Sequence, residues 1–242
     1  MLEPPVLQKE FDQLYRQNHV PPDATATPIA LDTDDLSAHQ GYGCKVLLLI
    51  PPENYSITAL LASKIRKEVQ EAELIVHSEP VKTRVVQLYN EGGAISLVKR
   101  IEEMTAFIKS NDTFLEENRV GTIVIGAIEN YVRISKMDGS AADFGVAILY
   151  NTKTHRILQG ISRGVPVQKE FLEKARQEGF WDGGINEGKF TVGEILKIHF
   201  DDPARRKYGQ DYDIAKDWRR VVCGASQCDL LKGVLDELGP IL

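Results

Sequence analysis

One stretch constrains the fold more than any other: Val120-Gly-Thr-Ile-Val-Ile-Gly-Ala-Ile128. It is far too short for a membrane helix, which needs about 20 apolar residues. Its β-branched content and lack of polar alternation predict a strand buried on both faces, the kind that sits inside an α/β sheet. The run ends on a carboxylate, Glu129, and continues as the more polar Val132-Arg-Ile134. Burying a charge without a partner is expensive, and the ends of sheet strands are where α/β proteins gather ligands. Glu129 is therefore either a ligand for a metal or a polar substrate group, or a residue solvated at a turn or paired with Arg133.

The flanking sequence repeats the strand–helix theme. Lys45-Val-Leu-Leu-Leu-Ile50 is a short apolar run closed by Pro51-Pro52, a strand with a breaker behind it. Residues 56–71 follow with Ile57, Leu60, Leu61, Ile65 and Val69 on one helical face. Residues 74–76 and 83–88 read as further short strands. Residues 92–110 form a strong helix with Ile95, Val98, Ile101, Met104, Thr105 and Ile108 as its stripe. Strands over 144–150 and 156–160 flank a hairpin turn at Asn151-Thr-Lys-Thr154. Pro166 reads as a helix start continuing to Gln177, and 191–199 as a short helix. Residues 201–216 read as a long polar loop containing Arg205-Arg-Lys207. Ser226, with Asp229 behind it, opens a last helix whose Leu230, Leu231, Val234, Leu235 and Leu238 face inward. The sum is an α/β domain with a mixed sheet. It starts near Gly41. Residues 1–40 hold a short amphipathic helix over 4–17 and a Pro- and Asp-containing linker over 18–40. That helix is either an arm packed on the same domain or a docking element for a partner.

Composition narrows the function. Of 242 residues, 43% are hydrophobic and 26% charged, ordinary globular usage. The balance of 29 Lys+Arg against 35 Asp+Glu gives a net charge of −6, the wrong sign for a chain held to nucleic acid by its backbone phosphates. No apolar run is long enough for a transmembrane segment, and the N-terminus lacks a signal peptide. Three cysteines are too few for a disulfide framework, which points to a reducing, cytoplasmic compartment. Phosphate loops, dinucleotide fingerprints, zinc signatures and serine-hydrolase elbows are all missing. Beside Glu129, Asp143 opens the next strand, so the two acids could share a divalent cation, unless Asp143 serves only the turn. Arg163 lies before the Pro166 segment and could reach a phosphate there; the alternative is an ordinary exposed arginine.

Three blocks together resemble one superfamily: Val124-Ile-Gly-Ala-Ile-Glu129-Asn, Asp143-Phe-Gly-Val-Ala-Ile-Leu-Tyr150 and Gly164-Val-Pro-Val-Gln-Lys-Glu-Phe171. This superfamily joins the inosine/xanthosine triphosphatases, which hydrolyse non-canonical purine nucleotides, with the C-terminal domain of the proline-rich coiled-coil protein 1 family. Phe190-Thr-Val-Gly-Glu-Ile-Leu196 and Cys223-Gly-Ala-Ser226 are closer to the second branch. The resemblance spans about residues 45–238. It implies a twisted mixed sheet flanked by helices, two lobes with a central cleft over 41–242, and a homodimer. It implies Glu129 and Asp143 as metal residues for Mg2+ in an enzyme, with Lys64, Arg66 or Arg163 needed for the nucleotide.

Three departures weaken the nucleotide grip. Where the enzymes carry a phosphate-binding Thr-x-Asn-Pro-x-Lys loop, this chain has Ile50-Pro-Pro-Glu-Asn-Tyr55. That loop lacks the lysine and adds a negative Glu53, which repels a triphosphate. Tyr89-Asn90 replaces an acidic motif before Gly93-Ala94, and Ser226 stands where the enzymes have a substrate arginine. The expected function is a non-catalytic binding or adaptor protein with protein partners, no assigned catalytic residue and no cofactor. The resemblance places it in Golgi or secretory trafficking or signalling. The alternatives are a Mg-dependent inosine/xanthosine triphosphate phosphatase and a nucleotide-binding sensor without turnover.

Overall fold

A computed structural model describes residues 41–52, 55–69, 73–81 and 86–242. The expected arm and linker over 1–40, and Glu53, lie outside them. The 15-residue strand β4 (Val120–Ile134) forms the spine. It pairs along its length with β5 (Ala141–Asn151) in an antiparallel hairpin, from Val124↔Asn151 to Ile134↔Ala141. On the far side of β5, β6 (Arg156–Ile161) covers the C-terminal part of that strand and β7 (Val165–Val167) the N-terminal part.

The other edge of β4 is shared by two strands laid end to end. β1 (Lys45–Ile50) runs parallel to its first half, as far as Leu49↔Ile125. β3 (Gln87–Tyr89) runs parallel to its second half, from Leu88↔Tyr131. Outside them lie β2 (Leu74–Ser78), parallel to β1, and the two-residue β8 (Glu187–Gly188), antiparallel to β3. The sheet is mixed, as the apolar runs imply.

Side chains alternate across this sheet, so parity decides which core each joins. One face carries Leu47, Leu49, Ile123, Ile125, Ala127, Tyr131, Phe144, Val146, Ile148 and Tyr150. Helix α2 (Gly92–Ser110) and the short α3 (Asp112–Glu117) cover it with Leu97, Ile101, Met104, Ile108 and Leu115. A Cβ on Gly93 would lie 2.7 Å from the Tyr131 ring, so only glycine lets the first turn of α2 rest there.

The opposite face holds two separate clusters. Over the first half of β4, α1 (Tyr55–Arg66) and α7 (Gln227–Glu237) pack Ile57, Leu61, Ile65, Leu231, Val234 and Leu235 against Val46, Leu48, Val124 and Leu149. Over the second half, α4 (Lys169–Gln177), α5 (Val192–Tyr208) and α6 (Ile214–Cys223) bury Phe171, Leu172, Ile195, Leu196, Trp218 and Val221 against Val132, Ala141, Val165 and Val167.

Several sequence expectations need correction. Residues 165–167 form an edge strand, with Pro166 opposite Ala142, and the helix starts only at Lys169. An edge strand tolerates a residue that cannot donate to a ladder. The loop expected over 201–216 is mostly helix, because α5 continues to Tyr208 and α6 begins at Ile214. Buried Ala204, Ile214, Trp218 and Val221 supply the inner face that the dense surface charge conceals. On α2 the stripe is rotated: Leu97 is buried while Ile95 is 45% exposed. Helix α1 stops at Arg66, short of residue 71. The final helix behaves as read, with Ser226 and Asp229 forming a reciprocal capping box.

Candidate functional site

Between the end of β1 and the start of β3, positions 126–130 of β4 have no strand partner on that edge among the described residues. Even-numbered residues present their backbone groups there: Val132 O accepts from Asn90 N–H at 2.9 Å, and Ile134 N–H donates to Asn90 Oδ1 at 2.9 Å. The N–H of Asn130 therefore points into the gap. Glu129 folds its own carboxylate back to accept from it at 3.1 Å. The other carboxylate oxygen accepts from the Ser96 hydroxyl at 2.7 Å and pairs with the Arg100 guanidinium at 3.0 Å. Ser96 and Arg100 are one turn apart on α2, beyond Gly93, and form a polar notch on its inner face. Both side chains of the Glu129–Arg100 pair are only 14% exposed. The carboxylate thus plugs the sheet gap and fastens α2 to β4.

Asp143 has a different environment. In the hairpin, Glu129 lies opposite Val146 and Asp143 opposite Val132. Directly opposed residues share a face, so Glu129 joins the α2 side and Asp143 the α4–α6 side. Asp143 is 2% exposed and accepts from Arg219 Nε of α6 at 2.6 Å. Burial pushes its carboxyl up, and the Arg219 guanidinium pulls it back down. Arg219, itself 7% exposed, also lies over the Trp218 ring.

The expected shared cation therefore has no home at Glu129 and Asp143, which the sheet separates. Each acid already has an arginine beside it, whose charge opposes a divalent cation. No group of three His, Cys, Asp or Glu side chains converges among the described residues. The donor set does not fit Mg2+, and no step through it follows.

Of the three basic residues suggested for a nucleotide, Arg66 is exposed at the last position of α1 and Lys64 is engaged elsewhere. Its ammonium donates to Leu238 O at 2.7 Å and pairs with Glu68 at 3.1 Å. Arg163 is exposed in the loop between β6 and β7. Arg133, the sequence alternative for Glu129, is not its partner; Arg100 is. On the Asp143 face, the Oδ1 of Asn130 is buried with no hydrogen-bond partner among the described residues, beside the space left by Gly145. Sequence reasoning missed Ser96, Arg100 and Arg219. Polar residues at 96 and 100 interrupting an otherwise apolar helix face were the available signal for the first two.

No protein-family model and no curated protein matches the chain. Among solved structures it is similar to protein VC0702 from Vibrio cholerae, at 13% identity and a TM-score of 0.48, over 79% of this chain and 90% of that one. A PelC dodecamer variant from Paraburkholderia phytofirmans matches at 13% identity and a TM-score of 0.23, over 58% and 78% of the two chains. A second PelC dodecamer matches at 12% identity and a TM-score of 0.21, over 57% and 74%. Likenesses at this level carry no functional argument. No helix among the described residues is long and apolar enough to cross a membrane.

Proposed function

We propose that the protein is a non-catalytic binding or adaptor module on an inosine triphosphatase-like fold. The observation that carries this reading is the separation of Glu129 and Asp143 onto opposite faces, each tied to its own arginine. A two-metal or single-metal phosphoryl-transfer centre needs carboxylates that converge on one cation. These carboxylates instead hold helices to the sheet. The lost phosphate grip after β1 points the same way. The finer architecture we propose is two lobes, one on each half of the β4–β5 hairpin; the split of the buried clusters on one face supports it. On the same resemblance, the protein works as a homodimer with protein partners, in the cytoplasm or at Golgi membranes.

The test is a hydrolysis assay with inosine, xanthosine, guanosine and adenosine triphosphates and Mg2+, beside a thermal-shift scan. The proposed outcome is no turnover and no ligand-dependent rise in melting temperature. Turnover selects the phosphatase. A rise without turnover selects the nucleotide sensor.

A further inference from the structure

After α7 ends at Glu237, segment 238–242 is neither helix nor strand. It is nevertheless held by four side-chain contacts that read backbone alone. Lys64 Nζ donates to Leu238 O at 2.7 Å. Glu68 Oε2 accepts from two consecutive amides, Ile241 N–H at 2.6 Å and Leu242 N–H at 3.1 Å. Asn151 Nδ2 donates to Ile241 O at 2.9 Å.

The receiving groups also have partners of their own elsewhere in the fold. Lys64 and Glu68 pair at 3.1 Å at the end of α1, and are 12% and 11% exposed. Asn151 is 1% exposed, and its Oδ1 organises the β5–β6 turn by accepting from Lys153 N–H at 3.0 Å and Thr154 N–H at 3.2 Å. Two side chains of the segment meet the protein: Leu238 is partly buried against the cluster beneath α1 and α7, and Ile241 goes deeper. Ile241 is fully buried in the cluster that contains Leu61, Ile65, Leu149 and Val234, while Leu242 is 39% exposed. This is the division of labour of a peptide groove: main-chain contacts give affinity, and the deep Ile241 pocket gives selectivity.

We infer that Lys64, Glu68 and Asn151 form a binding site for an extended peptide carrying a branched aliphatic residue. Segment 238–242 occupies it in cis, and a peptide of the same chemistry displaces it. The site lies apart from Glu129 and Asp143 and does not depend on the function proposed above. Tethering gives the segment an effective concentration of about a millimolar, so a free competitor meets a site that is already filled.

The probe is a fluorescein-labelled Leu-Gly-Pro-Ile-Leu peptide, blocked at both ends, titrated by polarisation into the full chain. The parent should bind it at least tenfold more weakly than Ile241→Ser, which withdraws the anchoring side chain. Adding Glu68→Gln to that variant should weaken binding about tenfold again. Both amides share one carboxylate oxygen while the other faces Lys64, so the new amide nitrogen must oppose either the Lys64 ammonium or both N–H groups, and the charge is lost. The inference is overturned if a folded Ile241→Ser protein binds no better than the parent, or if Glu68→Gln has no effect. Should Ile241→Ser not fold, hydrogen exchange on the parent decides. The Ile241 and Leu242 amides must exchange by local opening, faster than those of Leu231 and Val234. Equal protection at all four positions would mean that the segment never leaves, and the site would be purely structural.

Discussion

Glu129 and Asp143 are neighbours on one hairpin and opposites in physics. Glu129 has three donors around it, one of them its own strand's next amide, and keeps some contact with water. Asp143 has one strong partner in Arg219 and almost no solvent. The first carboxylate is spread over many contacts, and the loss of any one is softened by the rest. The second is half of a desolvated pair, where removing one charge strands the other. Both follow from sheet parity: the α2 face meets the hairpin at a gap in strand pairing, and the α6 face meets it in a closed core.

That contrast breaks first at Asp143. Asp143→Ala leaves the buried Arg219 guanidinium without a carboxylate, and should destabilise the fold by about 3–5 kcal/mol. Urea denaturation measures it. The double change Asp143→Leu with Arg219→Met should recover most of the loss, since a buried ion pair and an apolar pair of similar volume are close in energy. A single-variant loss below about 1 kcal/mol would show that Arg219 finds water, and that the two acids are alike after all.

A second test asks whether the closed core also punishes a polar group that has no partner. Tyr89 is 1% exposed, packs near Phe180, and its hydroxyl finds no hydrogen-bond partner among the described residues. Burial pushes the phenol up to about 12, with Arg176 pulling slightly the other way. The folded-state value exceeds the unfolded one. The contribution to stability is therefore fully present below about pH 10 and is lost as pH rises through about 12, a swing of about 2–3 kcal/mol. Tyr89→Phe should be neutral or slightly stabilising at pH 7 and should flatten the alkaline loss by that amount. Denaturation midpoints taken between pH 9 and 12 read the difference; parallel curves for parent and variant would refute it.

The elements around these sites were legible where the signal is local. The β4 run, the α2 helix and the Ser226 capping box each follow from a few adjacent residues. Parity across the hairpin was not. It depends on which residue of β5 meets Glu129, and a one-residue slip would have put Asp143 on the Glu129 face. The turn that fixes the register lies at 135–140, where Asp138 is held below the usual carboxylate range, first by the Ser140 backbone amide. Asp138-Gly139 marks a turn there but not its length, and the length sets which residues of the two strands face each other. The partners were hidden for the same reason: Arg100 and Arg219 reach the acids from helices 29 and 76 residues away in sequence. Pro166 misled because proline suits a helix start and an edge strand equally well, and only the free edge of β5 decides between them.

The smallest expected effect falls on Glu129 and says most about function. Glu129→Gln keeps the shape but removes the charge facing Arg100, and it turns an amide N–H₂ toward at least one existing donor. The remaining oxygen still accepts from Ser96 or from the Asn130 N–H. The loss should be about 1–2 kcal/mol, well short of that at Asp143. Relief of repulsion from Asp143 does not enter, because the sheet separates the two. Mg2+ gives the counterpart measurement. If the carboxylate is saturated by its three donors, millimolar Mg2+ should leave the melting temperature of parent and variant equally unchanged. A stabilisation by Mg2+ that appears in the parent and vanishes in Glu129→Gln would mean that the cation displaces Arg100. The gap in the sheet would then be a metal site after all, and the reading of Glu129 as a fastener would fail at the residue it rests on.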